Sequence, residues 1–266
     1  LIWVGEFSLV NAWFESVSGV TTTEASILTD VEMLPRGLQF WRCSTTWIGG
    51  MGVVMCALVV LPTMGRSKMT LSNMELSSLA RDNYRYRTQM IVHVLLVVYV
   101  GLTALSTVML KLSGMNWFDS LCHAMSACAT SGFSTKNASV AYFNSPLIET
   151  VLIVTMGIAG MHFGLIYATV TGKRNNVFRS EVTRWYVGIL LGCSALIAVS
   201  LYAAEIYPTL TSSFRHAAFQ VSTLMTTPCF PSPDPSVWPA FDILLPGLAS
   251  VVGSSSAPPT AVSSSH

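Results

Sequence analysis

The sequence predicts an all-α, polytopic membrane protein made of repeated units, each with two spanning helices and a shorter helix between them. Three observations predict this fold class: charge is scarce, long apolar runs recur, and short amphipathic segments lie between those runs. Charged residues are 10% of the 266 residues, whereas soluble globular domains carry roughly 25%. Hydrophobic residues reach 52%, and the mean hydropathy is +0.56. This composition is typical of a chain that lies in lipid.

The charge balance argues against several classes of protein. The 14 Lys and Arg residues against 13 Asp and Glu residues leave a net charge of +1, which steers no acidic partner toward the chain. A basic nucleic-acid binder needs concentrated positive charge, and a disordered chain has few hydrophobic residues. The sequence therefore predicts neither of these, nor a soluble enzyme, and it predicts no nucleic-acid partner.

Four apolar runs are long enough to cross a bilayer. A hydrocarbon core of roughly 30 Å needs about 20 residues of helix. Each run lacks Asp, Glu, Lys and Arg, and each is bracketed by charged residues. The predicted spans are residues 43–65, 88–110, 150–172 and 185–204.

Basic residues predict which side of the membrane each connection faces. Five Lys or Arg residues lie within 66–87 and four within 173–184, and two predicted spans separate these segments. Cytoplasmic loops carry an excess of Lys and Arg, so both segments are predicted to be cytoplasmic loops. The connections 111–149 and 205–236 then lie outside, and the alternation is consistent.

Short helices, too short to span, are predicted beside the outer ends of the spans, and small or hydroxyl residues follow each one. Aligned on Thr22, Thr130 and Thr227, which lie 108 and 97 residues apart, the three copies agree without gaps. Repetition of this kind is a fold-level signal. The short helices cover about 11–19, 117–126 and 214–223. One aligned position holds Glu15, His123 and Gln220. A second aligned position holds Ser18, Ser126 and Thr223.

The repeated unit has a physical use. Non-helical backbone at membrane depth is tolerated only where it is buried in protein or lines a wet cavity. A half-helix that enters from outside points its C-terminal end inward, and that end carries about half a negative charge. Several such ends, with the backbone carbonyls beyond them, can replace the hydration shell of a monovalent cation.

Sequence motifs add a family resemblance. The chain resembles the Trk/Ktr/HKT superfamily of potassium transporters, closest to the bacterial Trk-type membrane subunit, from about residue 11 to about residue 248. In that superfamily a single chain folds four span–pore-helix–span units around one pore. The motifs are FESVSGVTTT at 14–23, FWR at 40–42, WIGGMG at 47–52, CHAMS at 122–126, TSGFST at 130–135, RHAAFQ at 215–220 and TT at 226–227.

The resemblance implies a potassium-channel-like fold and uptake of K⁺ through a pore lined by backbone carbonyls, with no enzymatic chemistry and no cofactor. It also implies a multi-pass protein of the bacterial inner membrane, a homodimer, and a cytosolic nucleotide-binding regulatory subunit as partner. The K⁺ filter residues implied are Thr21, Thr22, Thr23 and Glu24; Ala129, Thr130, Ser131 and Gly132; and Thr226, Thr227, Pro228 and Cys229.

Two filter positions depart from the family pattern. The family has glycine where this chain has Glu24 and Cys229, and only Gly132 keeps it. This turn position is expected to need a positive φ, which costs a residue with a side chain on the order of 1 kcal/mol or more. A carboxylate at Glu24 is also expected to bind a cation too tightly for fast conduction.

The resemblance divides the chain into an incomplete set of repeats. The chain is expected to be a fragment, because the first span and the whole fourth repeat are missing. The predicted divisions are 1–65 (first repeat without its first span), 66–87 (cytoplasmic loop), 88–172 (complete second repeat), 173–184 (cytoplasmic loop), 185–253 (third repeat with an incomplete second span) and 254–266 (Ser/Pro-rich tail).

Two other interpretations remain open at the level of sequence. The chain could be a non-conducting, truncated remnant of such a transporter, because a pore of four converging turns cannot close from three. An intramembrane enzyme that uses His93, His123 or His162 is the other alternative, but no metal-ligand spacing and no nucleophile–base arrangement supports it.

Overall fold

The computed structural model describes residues 8–66, 78–161, 169, 181–228, 230 and 238. Within those ranges all the regular elements are helical. The α-helices are α1 (Leu9–Val20), α2 (Arg36–Arg66), α3 (Ser78–Leu112), α4 (Trp117–Cys128), α5 (Pro146–Ala159), α6 (Glu181–Ala203) and α7 (Leu210–Met225), with a 3-10 helix at Ser139–Phe143.

Two of the described helices are long and apolar enough to cross a membrane. They are His93–Leu112 within α3 and Thr183–Ala203 within α6, each with a mean hydropathy of 2.0. Only 33% and 28% of these segments are buried inside the protein, and Leu105 and Val199 are each 60% exposed. Large apolar side chains over such an area are covered in a soluble protein. These faces therefore suit contact with lipid.

The prediction of one continuous span over 150–172 is wrong at its centre. Helix α5 starts earlier, at Pro146, and ends at Ala159 with Gly160 as its C-cap. A Cβ on Gly160 would lie 2.7 Å from the Tyr186 hydroxyl and 3.2 Å from Cγ2 of Thr226. The glycine thus lets α5 end against two neighbouring segments. Residues 162–168 and 170–172 of the predicted span lie outside the described residues.

The short helix α4 lies at the centre of the described bundle. It packs against α2, α3 and α5, and its residues Cys122, Ala124 and Ala127 are fully buried. A helix too short to cross the bilayer has ends that lipid cannot satisfy, so enclosure by longer helices is what allows it there. The buried apolar residues around it include Leu110, Met115, Leu152, Met156 and Phe219.

An ion pair between a half-buried arginine and a buried carboxylate joins the start of α5 to α7. Arg215 Nε and Nη2 each donate to a different carboxylate oxygen of Glu149, both at 2.6 Å. This fork is the preferred geometry of an Arg–carboxylate pair. Glu149 is only 4% exposed, and it lies in the first turn of α5, where the helix dipole favours negative charge.

Loss of Arg215 is expected to destabilise this packing. The substitution Arg215→Met leaves the buried Glu149 carboxylate unpaired and should lower the free energy of unfolding by about 3 kcal/mol, measured by chemical unfolding in detergent micelles. The matched control is Lys136→Met, since Lys136 pairs with Glu32 at 3.6 Å near the surface. That change should cost less than about 1 kcal/mol. Equal losses in the two variants would contradict this account of the pair.

Candidate functional site

The three short helices begin in the same way. Their N-cap residues are Ser8, Asn116 and Thr209, all in extended backbone conformation. Each N-cap side chain accepts the N–H three residues further on, at 3.3, 2.8 and 3.2 Å respectively. Such caps satisfy one of the free N–H groups at a helix start. Helices α1, α4 and α7 therefore start independently of the spanning helices.

Helix α1 ends in a Schellman motif. The N–H of Thr22 donates to Gly19 O at 3.2 Å, and the N–H of Thr23 donates to Ser18 O at 3.0 Å. The first of these two residues, Thr22, has a left-handed φ of 55°. Glycine is the usual residue at this position of the motif, so here a threonine takes a glycine conformation.

Helix α4 ends with the same bonds. The N–H of Thr130 donates to Ala127 O at 3.3 Å, and that of Ser131 donates to Ser126 O at 2.9 Å. Thr130 has a φ of 52°. The aligned threonines of the first two copies thus share one backbone conformation and one hydrogen-bond pattern.

Helix α7 keeps half of the motif. Thr227 has a φ of 71°, and its N–H donates to Leu224 O at 3.4 Å. The next residue is Pro228, which has no N–H, so the second bond of the motif cannot form. Instead the N–H of Phe230 donates to the Thr223 hydroxyl at 2.6 Å.

These threonines store conformational energy. The left-handed region costs a residue with a Cβ roughly 1–2 kcal/mol, and a β-branched residue there is an outlier. Thr22, Thr130 and Thr227 occupy it at corresponding positions. Non-glycine residues hold such a conformation only where the surrounding structure enforces it, which is common at functional sites.

The three turns meet at Gly132. A methyl group built on Gly132 would overlap both the Glu24 carboxyl group and the Pro228 carbonyl oxygen. Glu24 follows α1, Gly132 follows α4 and Pro228 follows α7. Three segments distant in sequence therefore reach one point.

The expectation that this position needs a positive φ holds for Glu24, whose φ is 70°. It is wrong for Gly132, which is not in the left-handed region. Glycine is required at 132 because the carboxyl and carbonyl groups of the other two turns leave no room for a Cβ. Cys229 lies outside the described residues.

The Glu24 carboxyl group lies in the turn after α1, outside the spanning helices. The N–H of Gly132 donates to it, while its Oε2 is buried with no hydrogen-bond partner among the described residues. Burial raises the pKa of this carboxyl to about 8, and the hydrogen bond from Gly132 opposes that shift to a smaller extent. The neutral acid is therefore favoured in the ion-free turns.

Two threonine hydroxyls beside the turns are already used inside their own helices. Thr21 Oγ1 donates to Val17 O at 2.8 Å, and Thr226 Oγ1 donates to Ser222 O at 2.7 Å. Thr21 and Thr23 also share a hydroxyl–hydroxyl bond at 2.7 Å. Of the other predicted filter residues, Ala129 and Ser131 are buried.

Glycines on the longer helices support the turns from behind. A Cβ on Gly49 of α2 would overlap the carbonyl group of Val20, and one on Gly50 would lie 3.1 Å from the Ala129 Cβ. The two adjacent glycines of the WIGGMG motif thus allow α2 to pack closely against the ends of both α1 and α4. Gly160, the C-cap of α5, allows the same close packing against the end of α7.

Of the three histidines considered for an enzyme, His93 and His123 lie in the part of the chain that the structure describes, and their surroundings differ. His123 is fully buried, with Nδ1 at 2.8 Å from Asp119 O and Nε2 at 3.0 Å from Ser134 Oγ. Both ring nitrogens are therefore occupied by structural hydrogen bonds. His93 lies on an exposed face of α3, and His162 is outside the described residues.

The sequence did not indicate the serines whose hydroxyls donate to these aligned side chains. Ser134, and Ser26 in the first copy, lie just after the turns, and the sequence gives no local sign that a pore-helix side chain will reach them. The motifs contain Arg42 and Arg215 but do not indicate that each pairs with a buried carboxylate.

Short capped helices packed against longer ones, apolar faces that suit lipid and strained turns that meet at one point are the features of an all-α, polytopic membrane protein. The family described as "Cation transport protein", TrkH, matches residues 5–263. The chain belongs to this family, whose members are multi-pass proteins of the bacterial inner membrane.

Known relatives agree with this membership. The chain is 34% identical over 236 residues to the Trk system potassium uptake protein TrkH of Salmonella typhimurium, covering 88% of this chain and 49% of that protein. It is 35% identical over 248 residues to TrkH of Halomonas elongata, covering 92% and 51%. The crystal structure of the potassium transporter TrkH from Vibrio parahaemolyticus superposes with a TM-score of 0.77 at 28% identity, over 90% of this chain and 49% of that one. The chain thus spans about half the length of these relatives.

The close fit of Gly49 predicts a sharp difference between two glycines of the same helix. Gly49→Ala should lower the free energy of unfolding by about 1–3 kcal/mol, because the added methyl overlaps the Val20 carbonyl. Gly52 has no atom within 4 Å of a built Cβ, so Gly52→Ala should stabilise α2 by about 0.5–1 kcal/mol. Circular dichroism during unfolding in micelles measures both. The same sign of change in both variants would refute the packing.

Proposed function

We propose that this chain forms the cation path of a K⁺ uptake system in the bacterial inner membrane. K⁺ binds to backbone carbonyls of the turns at 21–24, 129–132 and 226–229. The observation that carries the proposal is the meeting of the three turns at Gly132, where Glu24 and Pro228 occupy the space that a side chain would need.

The electrostatics of the short helices support a cation. Helices α1, α4 and α7 each end at one of these turns, so three helix C-termini, each with about half a negative charge, lie near one point. Carbonyl oxygens beyond those ends provide neutral ligands, which bind a monovalent cation without holding it too firmly for release.

The relatives support the identity of the ion, since they are named potassium uptake proteins. The repeat divisions at 1–65, 88–172 and 185–253 belong to the same proposal, with cytoplasmic loops at 66–87 and 173–184. The intact protein is proposed to be a homodimer. A cytosolic nucleotide-binding regulatory subunit is its proposed partner.

Growth at low K⁺ tests the proposal. The chain is expressed in a bacterial strain without its own K⁺ uptake systems, and expression is expected to restore growth and K⁺ influx. Gly132→Leu should reduce influx to the level of the empty vector, because the side chain fills the meeting point of the turns. Gly101→Ala is the control, since nothing lies within 4 Å of a Cβ there. Absence of growth with the unaltered chain inserted in the membrane would instead favour the non-conducting remnant.

Glu24 is expected to limit this influx. Glu24→Gly restores the residue that the family has at this turn, removes the carboxyl from the meeting point and relieves a φ of 70°. Influx of K⁺ in the same strain should therefore rise. Glu24→Ala separates the two causes, because it removes the carboxyl but keeps the strained φ. A fall in influx in both variants would mean that the carboxyl assists conduction.

A further inference from the structure

One side-chain contact recurs behind the first two turns. Glu15 on α1 and His123 on α4 hold the same aligned position, and each contacts the serine eleven residues further on. Ser26 Oγ donates to Glu15 Oε1 at 2.9 Å, and Ser134 Oγ lies 3.0 Å from His123 Nε2. Glu15 is 2% exposed and His123 is fully buried. We name these two contacts the turn struts.

The first strut belongs to a larger network. The N–H of Ile27 donates to Glu15 Oε2 at 3.1 Å, and Arg42 Nε donates to Glu15 Oε1 at 3.0 Å. Arg42 Nη2 also donates to Ser26 Oγ at 3.2 Å. The guanidinium carbon lies 4.2 Å from the centre of the Phe133 ring. The segment leaving the first turn is thus held to α1, to α2 and to the second turn.

The second strut has a defined direction. The Asp119 carbonyl can only accept, so Nδ1 of His123 carries the proton at 2.8 Å and Nε2 accepts from the Ser134 hydroxyl. Ser134 Oγ in turn accepts the N–H of Lys136 at 3.0 Å. The Thr135 hydroxyl donates to Asp119 Oδ1 at 2.7 Å. Both segments that flank the second turn are therefore tied together.

The third copy is different in sequence and in contact. Its aligned residue is Gln220, and eleven residues further on the chain has Pro231, which carries no hydroxyl. Gln220 Oε1 is buried with no hydrogen-bond partner among the described residues. The third turn is instead held by the bond from Phe230 N–H to Thr223. Side-chain struts therefore hold two turns of the three.

Each strut closes a short loop that contains the strained threonine. A left-handed threonine persists only while its neighbours hold it, and the strut fixes both sides of the turn at once. We propose that Glu15 and His123 are positioning residues that keep the carbonyls of the first and second turns at the spacing that selects K⁺ over Na⁺. This inference rests on the proposed function, which supplies the ion.

Removal of single hydroxyls tests the struts with little change of volume. Ser26→Ala and Ser134→Ala delete the strut partners and leave Glu15 and His123 in place. The matched control is Ser120→Ala, because Ser120 is buried on α4 and its hydroxyl bonds to Asn116 O at the start of the same helix, at 2.7 Å, away from the turn. The full chain is purified and reconstituted into lipid vesicles.

The readout is the ratio of K⁺ to Na⁺ influx into these vesicles. The ratio is expected to fall roughly threefold to tenfold in Ser26→Ala and in Ser134→Ala, as the loss of one hydrogen bond implies, and to stay unchanged in Ser120→Ala. A loss of thermal stability alone leaves the ratio of the remaining folded protein unaltered. Equal ratios in all variants and in the unaltered chain overturn the proposal.

A double-mutant cycle tests whether the two strut residues act through one contact. His123→Leu combined with Ser134→Ala should lower the ratio by clearly less than the two single effects combined, because both single variants lose the same bond. Additive losses would mean that the two residues act separately, and they would overturn the strut between His123 and Ser134.

A second measurement separates failure of the inference from failure of the proposed function. Bound K⁺ stabilises the folded state by mass action, so the melting temperature in K⁺ minus that in Na⁺ reports selective binding without transport. An unaltered chain that neither conducts K⁺ nor gains stability from it overturns the proposed function. A selective unaltered chain whose serine variants keep the difference overturns only the struts.

Discussion

The buried pair of Arg42 and Glu15 is the interaction on which the arrangement of the first two turns depends. The guanidinium lies 2.8 Å from the Glu15 carboxylate, donates to Ser26 and rests on the Phe133 ring. A buried ion pair gains little net stability, since desolvation offsets the attraction between the charges. Its contribution is geometric, because one planar group contacts the short helix, the segment after its turn and the neighbouring turn. An apolar replacement could be as stable, but it would not determine these three distances.

Local features of the site were predictable, and tertiary features were not. The short helices and the alignment on Thr22, Thr130 and Thr227 could be predicted because caps and turn residues act within a few positions along the chain. The end of α5 at Ala159 could not, since apolar residues continue to 172 and only the contacts of Gly160 with other helices reveal the break. The serines of the struts were missed for the same reason.

The three turns are chemically unequal. Two keep the complete Schellman motif and a side-chain strut, whereas Pro228 removes one backbone donor from the third and leaves Thr223 to accept from Phe230. Identical subunits around an axis would force the same change on every turn. A chain that carries its turns in succession can alter one alone, so each turn can have its own stiffness.

Small residues set the size of the space in which the turns meet. From behind, Gly49 and Gly50 allow α2 to reach the ends of α1 and α4, and Gly160 does the same for α7. From the front, Gly132 leaves a volume that the Glu24 carboxyl and the Pro228 carbonyl now share. A cation at this point would compete for space with the Glu24 carboxyl and Pro228 carbonyl oxygens. The carboxyl must therefore either bind the cation or move away. In both cases the permitted distance between turns follows from where a Cβ is absent, and the charge of the site follows from Glu24.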